Sequence, residues 1–183
     1  MTASLATVLG SSASERRAKA AILTRDRTIT YGELDDRASR VAGALQAAGV
    51  RAGDRVALVL GNSPEFVETL HGAWRIGAVV APLNVMLTPE EAGYVLADAE
   101  AAVVVTDRDL LPTVLAVRDR IGSIERVFVT GGGPAPAETV SYESALKETL
   151  PPSVQMIVQR QAAKVRQAHD SVRDLRDREK VAH

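Results

Sequence analysis

Residues 55–81 read RVALVLGNSPEFVETLHGAWRIGAVVA, and this stretch decides the fold class. Arg55 to Leu60 is a continuous aliphatic run, short enough for a strand buried on both faces and therefore expected to lie centrally in a sheet. Ser63 followed by Pro64 supplies an N-cap and a first-turn proline, so a helix opens there. Its apolar positions Phe66, Val67, Leu70, Ala73 and Trp74 recur at three- and four-residue steps and are expected to pack on the sheet. Gly77 ends the helix, Ala78 to Ala81 forms the next strand, and Pro82 forbids its continuation as an internal ladder member. Strand, helix and strand in this order describe parallel strands joined by a helical crossover.

The same alternation extends both ways. Upstream, Ala20 to Thr24 and Thr28 to Thr30 flank the turn Arg25-Asp26-Arg27 and read as a hairpin. Thr30 and Glu33 have capping-box spacing and start a helix through Ala48, with Gly49 as a left-handed cap. Leu34, Ala38, Val41, Ala42 and Leu45 form its core face, leaving Asp35, Asp36, Arg37 and Arg40 to the solvent. Downstream, Thr88-Pro89-Glu90-Glu91 opens a helix through Ala97. Ala102 to Thr106 is a strand, Asp107 caps a helix from Leu110 to Arg120, and Arg126 to Thr130 is the last strand expected.

Gly131 to Ala137, GGGPAPA, reads as a loop, and the alternation is expected to stop there. The chain thus divides into an α/β domain over 1–130, a linker with a short helix from Tyr142 to Thr149 over 131–152, and a charged helix over 153–183. In this last segment Val154, Val158, Gln161, Val165, Ala168, Val172 and Leu175 trace one helical seam, interrupted by Gln161. The predicted fold class is α/β, a mainly parallel sheet with flanking helices, plus this long C-terminal helix.

Bulk properties narrow the function. Of 183 residues, 46% are hydrophobic and 25% charged, an ordinary globular balance. The 22 Lys and Arg against 23 Asp and Glu give a net charge of −1, so no overall field draws the chain to nucleic acid or an anionic membrane. Residues 151–183 carry seven Lys or Arg against four Asp or Glu, which gives that segment a positive excess and the preceding part a negative one. Cysteine is absent, excluding a disulfide frame or thiolate zinc site and fitting a reducing compartment, for which the cytoplasm is the default. Neither an export signal nor a bilayer-spanning apolar stretch is visible.

Few residues suggest chemistry. His71 lies in the helix begun by Ser63 and reads as a packed or surface histidine; His169 and His183 fall in the tail. Gly131-Gly132-Gly133 lacks the Lys-Ser or Lys-Thr of a phosphate loop and is followed by prolines, so it reads as a linker. Gly61-Asn62-Ser63 follows a strand and opens a helix, a place where an anion is sometimes held, but a capping turn explains it. Glu33, Asp35 and Asp36 suit a helix's first turn. No catalytic, cofactor-binding or metal-binding residue is assigned.

The motifs in order resemble a known family. Thr28-Ile29-Thr30-Tyr31-Gly32-Glu33-Leu34 resembles the first core motif of the adenylate-forming (AMP-dependent synthetase/ligase) enzymes. Gly53-Asp54-Arg55-Val56-Ala57 resembles their helix-to-strand link, and Asn62 with Glu65-Phe66 their next strand-to-helix turn. Gly77-Ala78-Val79-Val80-Ala81-Pro82-Leu83-Asn84 resembles the second core motif, and its Pro-Leu-Asn form leans towards acyl-CoA synthetases. The resemblance implies part of a large N-terminal domain from enzymes that join a carboxylic acid to AMP, using ATP and magnesium, and pass it to coenzyme A.

It also implies a Ser/Thr/Gly-rich phosphate loop soon after residue 150, where this chain has Leu150-Pro151-Pro152. The later magnesium-binding, ribose-binding and C-terminal lysine motifs have no counterpart either. The chain is accordingly expected to be a truncated ligase component, inactive alone, with no cofactor of its own and a complementary ligase chain as partner. Loss of the family's second sheet would leave an apolar face uncovered. A non-catalytic scaffold, self-associating through the C-terminal helix, is the alternative, and a ligand pocket without catalysis is a third reading.

Overall fold

The computed structural model describes residues 4–147. The predicted helix over 153–183, with His169 and His183, lies outside the described residues, as does the end of the segment from Tyr142 to Thr149.

Five parallel strands form the main sheet: β3 (Arg55–Val59), β4 (Val79–Pro82), β5 (Ala101–Thr106), β6 (Arg126–Val129) and β7 (Val140–Ser141), in the order β4-β3-β5-β6-β7. β3 is internal, as its unbroken aliphatic run requires, although β5 holds the middle place. The Pro82-terminated β4 is an edge strand, where a missing N–H costs no ladder bond. Two short strands, β1 (Ala20–Leu23) and β2 (Thr28–Thr30), form the expected antiparallel ribbon.

Helices cover both faces. Val56 and Leu58 point with Val103, Val105 and Phe128 towards α2 (Tyr31–Ala47), α3 (Pro64–Arg75) and α6 (Tyr142–Lys147). Ala57 and Val59 point the other way, with Val104 and Val127, towards α4 (Pro89–Asp98) and α5 (Leu111–Arg118). This two-residue alternation gives both sheet faces their own core. Each fully buried Leu or Val side chain contributes about 1.5–3 kcal/mol over its exposed state. A satellite cluster of Leu9, Ile29, Leu34 and Ala38 joins α1 (Leu5–Arg16) and the ribbon to α2.

Four features depart from the sequence reading. α1 was not foreseen, because LATVLGSSASER carries three Ser and a mid-segment Gly and has no sustained apolar stripe. The alternation does not stop at residue 130, since β7 extends the sheet beyond β6 and Tyr142 and Leu146 are buried in the α2-side core. Asp35 and Arg37 do not face open solvent: both are half-buried and paired with α3. Finally, α3 buries Glu68, Thr69, Gly72, Ala73 and Arg75, while Phe66, Val67, Leu70 and Trp74 are only half-buried. The helix rotates its small and polar side towards α2, because Gly72 and Ala73 allow the closer approach.

The helix starts are built as their sequences dictate. Thr30 and Thr88 each accept from the N3 amide, at 3.2 and 3.3 Å, while Glu33 and Glu91 accept from the threonine amides at 2.8 and 2.9 Å. These backbone bonds, with the threonine hydroxyl bonds, hold both carboxyls below the ordinary value of 4.5. A carboxyl lowered in the folded state stabilises above its unfolded pKa and loses that contribution as pH falls through the folded one. Thr88→Ala should cost about 1 kcal/mol. The stability gap between the native chain and Glu91→Ala should narrow as denaturation is followed from neutral pH to below the carboxylate range. A gap that stays constant across that interval would refute the assignment.

Candidate functional site

In an open parallel sheet, ligands bind beyond the carboxyl ends of the strands where the strand order reverses. Here that point lies between β3 and β5, bordered by the turn Gly61-Asn62-Ser63 and the turn after Thr106. Ser63 accepts the Phe66 amide at 3.2 Å and caps α3. Asp107 Oδ1 accepts the Leu110 amide at 2.9 Å and shapes the entry to α5. Next along the edge, Asn84 Oδ1 accepts the Met86 amide at 3.0 Å. The Arg108 guanidinium donates to the carbonyls of Gly132 at 2.9 Å and Pro134 at 2.7 Å. The Gly131-Gly132-Gly133 turn thus presents carbonyl oxygens to a cation of its own chain. Gly61 is open on its Cα side, with nothing within 4 Å of a notional Cβ.

The densest cluster of charge lies elsewhere, between α2, α3 and α6. Glu68 is fully buried and accepts from Arg37 Nε at 2.5 Å and from the Tyr142 hydroxyl at 3.0 Å. Arg37, 25% exposed, also donates to Glu143 at 3.1 Å. Burial opposes its charge but is outweighed by the Glu68 hydrogen bond and the fields of Glu68 and Glu143, so its pKa rises. Burial foremost, then the negative field of Glu68, pushes the Tyr142 phenol well above 10. A second pair adjoins: Arg75 donates to Asp35 Oδ1, to the Asp35 carbonyl at 3.0 Å and to Ser39 Oγ. Ser39 in turn donates to the Asp35 carbonyl at 2.9 Å.

These groups satisfy one another within the helix layer and present no nucleophile beside a base. They fix the angle at which α2, α3 and α6 meet. His71 stands apart, edge-on to Trp74 with centroids 5.3 Å apart, its pKa lowered by burial and then by Arg75. The acidic trio of the α2 start is likewise dispersed: Glu33 caps, Asp35 binds Arg75, and Asp36 pairs with Arg17 at 2.8 Å. Among the described residues no three His, Cys, Asp or Glu side chains are grouped to hold a metal ion. No helix among them is long and apolar enough to cross a membrane.

Sequence reasoning missed the buried network, although a signal was present. Glu68, Thr69 and Arg75 lie four and three residues before and three after Gly72, so they share its helix face. A Gly-Ala pair in mid-helix marks a close crossing, and polar residues at those offsets must enter it.

Comparison with known proteins bears on this geometry. The family model described as AMP-binding enzyme matches residues 10–173. The 3-hydroxybenzoate/4-hydroxybenzoate–CoA ligase of Thauera aromatica is 39% identical over 118 residues, 64% of this chain and 23% of that protein. A long-chain-fatty-acid–CoA ligase of Thermus thermophilus is 38% identical over 123 residues, 67% of this chain and 23% of its own length. Among solved structures, the anthranilate CoA ligase AuaEII with anthranoyl-AMP superposes with a TM-score of 0.75 at 29% identity, covering 79% of this chain and 28% of that one. This chain therefore spans about a quarter of the relatives it matches.

Proposed function

Because the chain belongs to the AMP-binding enzyme family, we propose that it is the leading part of an acid–CoA ligase, inactive until a complementary polypeptide supplies the rest. The observation that carries this reading is its 39% identity to a CoA ligase over 118 residues, 64% of this chain but only 23% of that ligase's length. Relatives acting on hydroxybenzoates and on long-chain fatty acids match nearly equally well. The proposed substrate class is therefore a carboxylic acid, with neither aryl nor fatty acids favoured.

When bound, ATP and magnesium would supply the activated phosphate, and coenzyme A the acceptor thiol. In the described residues the polar groups at the strand ends cap or brace their own loops, which leaves phosphate-handling to the complementary part. Adenylation depends on preorganised charge around the reacting phosphate. A chain without it should not form an acyl-adenylate. The proposed location is the cytoplasm, where cysteine-free chains of this composition and the family's cofactors are at home.

Pyrophosphate exchange into ATP, measured with hydroxybenzoates, ferulate and long-chain fatty acids, tests the reading. The purified chain should show none. Mixed with the remainder of the Thauera ligase, cut just after its matched segment, it should show exchange with an aryl acid. Exchange by the lone chain would overturn the proposed inactivity, and none by the mixture would overturn the ligase reading.

A further inference from the structure

The chain beyond β6 is held differently from the sheet it joins. It leaves β6 through Gly131, Gly132 and Gly133, whose φ values of +91°, +71° and +73° are left-handed, and enters β7 through Glu138 at φ +61°. Glycines there keep wide freedom, and a left-handed glutamate is held only by its surroundings. β7 pairs two residues on one edge. Six residues of α6 are described. Its buried anchors are Tyr142 and Leu146.

The other ties are largely arginines reaching out from the body. Arg37 donates to Glu143 at 3.1 Å, Arg40 to the Leu146 carbonyl at 3.1 Å, and Arg118 to the Glu138 carbonyl at 3.1 Å. Arg108 holds the carbonyls of Gly132 and Pro134. The Tyr142 hydroxyl adds its bond to Glu68. By contrast, β3 and β5 are each flanked by strands on both sides and covered by helices on both faces.

We infer that residues 131–147 form an arginine-latched strap that hinges at the glycine turn and opens as a unit while β4-β3-β5-β6 stays folded. The strap closes an apolar cleft shared by Val41, Leu45, Val105, Phe128, Tyr142 and Leu146. Lifting it bares the α2 and sheet side of that cleft and turns β6 into a sheet edge. One small motion thus controls access both to an apolar surface and to a strand able to pair.

Hydrogen exchange of the full chain, read by mass spectrometry of its peptides, tests this. Protected amides of β7 and α6 should open at least about ten-fold more often than those of β3 and β5. Arg40→Met keeps the side-chain stem but removes the bond to Leu146, and Tyr142→Phe removes the bond to Glu68. Each should raise strap exchange by about ten-fold, whereas Leu96→Ala, buried in the core on the opposite sheet face, should raise exchange of β3 and β5 and leave the strap unchanged, because that core stays packed when the strap opens. The strap is refuted if its amides are as protected as those of β5, if Leu96→Ala raises strap and sheet exchange together, or if Arg40→Met and Tyr142→Phe leave the strap unaltered. Arg40 is solvent-exposed, so its variant should fold and give a result even if Tyr142→Phe does not.

Discussion

Replacing Glu68 with alanine is expected to lower the unfolding free energy by about 3–5 kcal/mol, a large fraction of the roughly 5–15 kcal/mol that holds a typical domain together. The carboxylate is fully buried and has two partners, the Arg37 guanidinium and the Tyr142 hydroxyl. Its removal leaves Arg37, only 25% exposed, with Glu143 as its remaining carboxylate, and deprives the hydroxyl of Tyr142, a residue 2% exposed, of its acceptor. Neither regains full hydration, so the loss is mostly the penalty of unpaired groups rather than the worth of the pair. Replacing the set by apolar side chains of similar volume, Glu68→Leu with Arg37→Met and Tyr142→Phe, should therefore recover most of the loss. Urea denaturation decides the matter. A midpoint for Glu68→Ala within about 1 kcal/mol of the native chain, or a triple variant no better than the single one, would show that water already reaches the network.

That network also marks the limit of what the sequence discloses. Boundaries carried by local chemistry were legible: Thr30 with Glu33, Ser63 with Pro64, and Thr88 with Glu91 each start a helix where their residue types satisfy the first-turn amides. The parallel sheet was legible because β3 and β5 are aliphatic on both faces, which suits a strand sandwiched between helix layers. Elements without such chemistry were not. α1 does open on a Ser4 cap, but it lacks a sustained apolar stripe and is held by docking Leu9 and Ala13, a tertiary effect, and β7 is only two residues long.

The polar interior failed for a different reason. A hydrophobic period assumes that apolar residues seek the core, and on α3 it selects Phe66, Leu70 and Trp74. These are left half-exposed because the crossing with α2 is centred on Gly72 and Ala73, with Glu68 and Arg75 paired to α2 on either side. At the candidate site, the cap at Ser63 was readable from residue type. The expected cap at Asp107 is not one: it accepts the Leu110 amide in the turn before α5, whose N-cap position Leu110 makes no side-chain bond. The bracing of the glycine turn by Arg108 was not readable, since it joins residues 24 and 26 positions apart.

The same crossing yields the second large effect, expected for Gly72→Val. A Cβ at position 72 would lie 2.7 Å from the Cβ and Cγ1 of Val41 and 2.9 Å from the Ala38 carbonyl oxygen. Two of these atoms are buried side chain and the third is helix backbone, so none yields cheaply. Overpacking of this kind costs about 1–3 kcal/mol, occasionally more, and the branched Val should lie at the upper end. Gly72→Ala isolates the steric term, because alanine gains up to about 1 kcal/mol in helix propensity and should still be destabilising. Gly61→Ala, with open space around it, should be close to neutral. Any outward shift of α3 also lengthens Arg37–Glu68 and Arg75–Asp35, which bridge the same two helices on either side of Gly72. Gly72→Ala and Glu68→Ala should therefore be less than additive when combined, since the first already loosens what the second removes. Strict additivity in a double-mutant cycle, or a stabilised Gly72→Ala, would mean that α2 and α3 separate without disturbing the ion pairs and that the glycine does not set their distance.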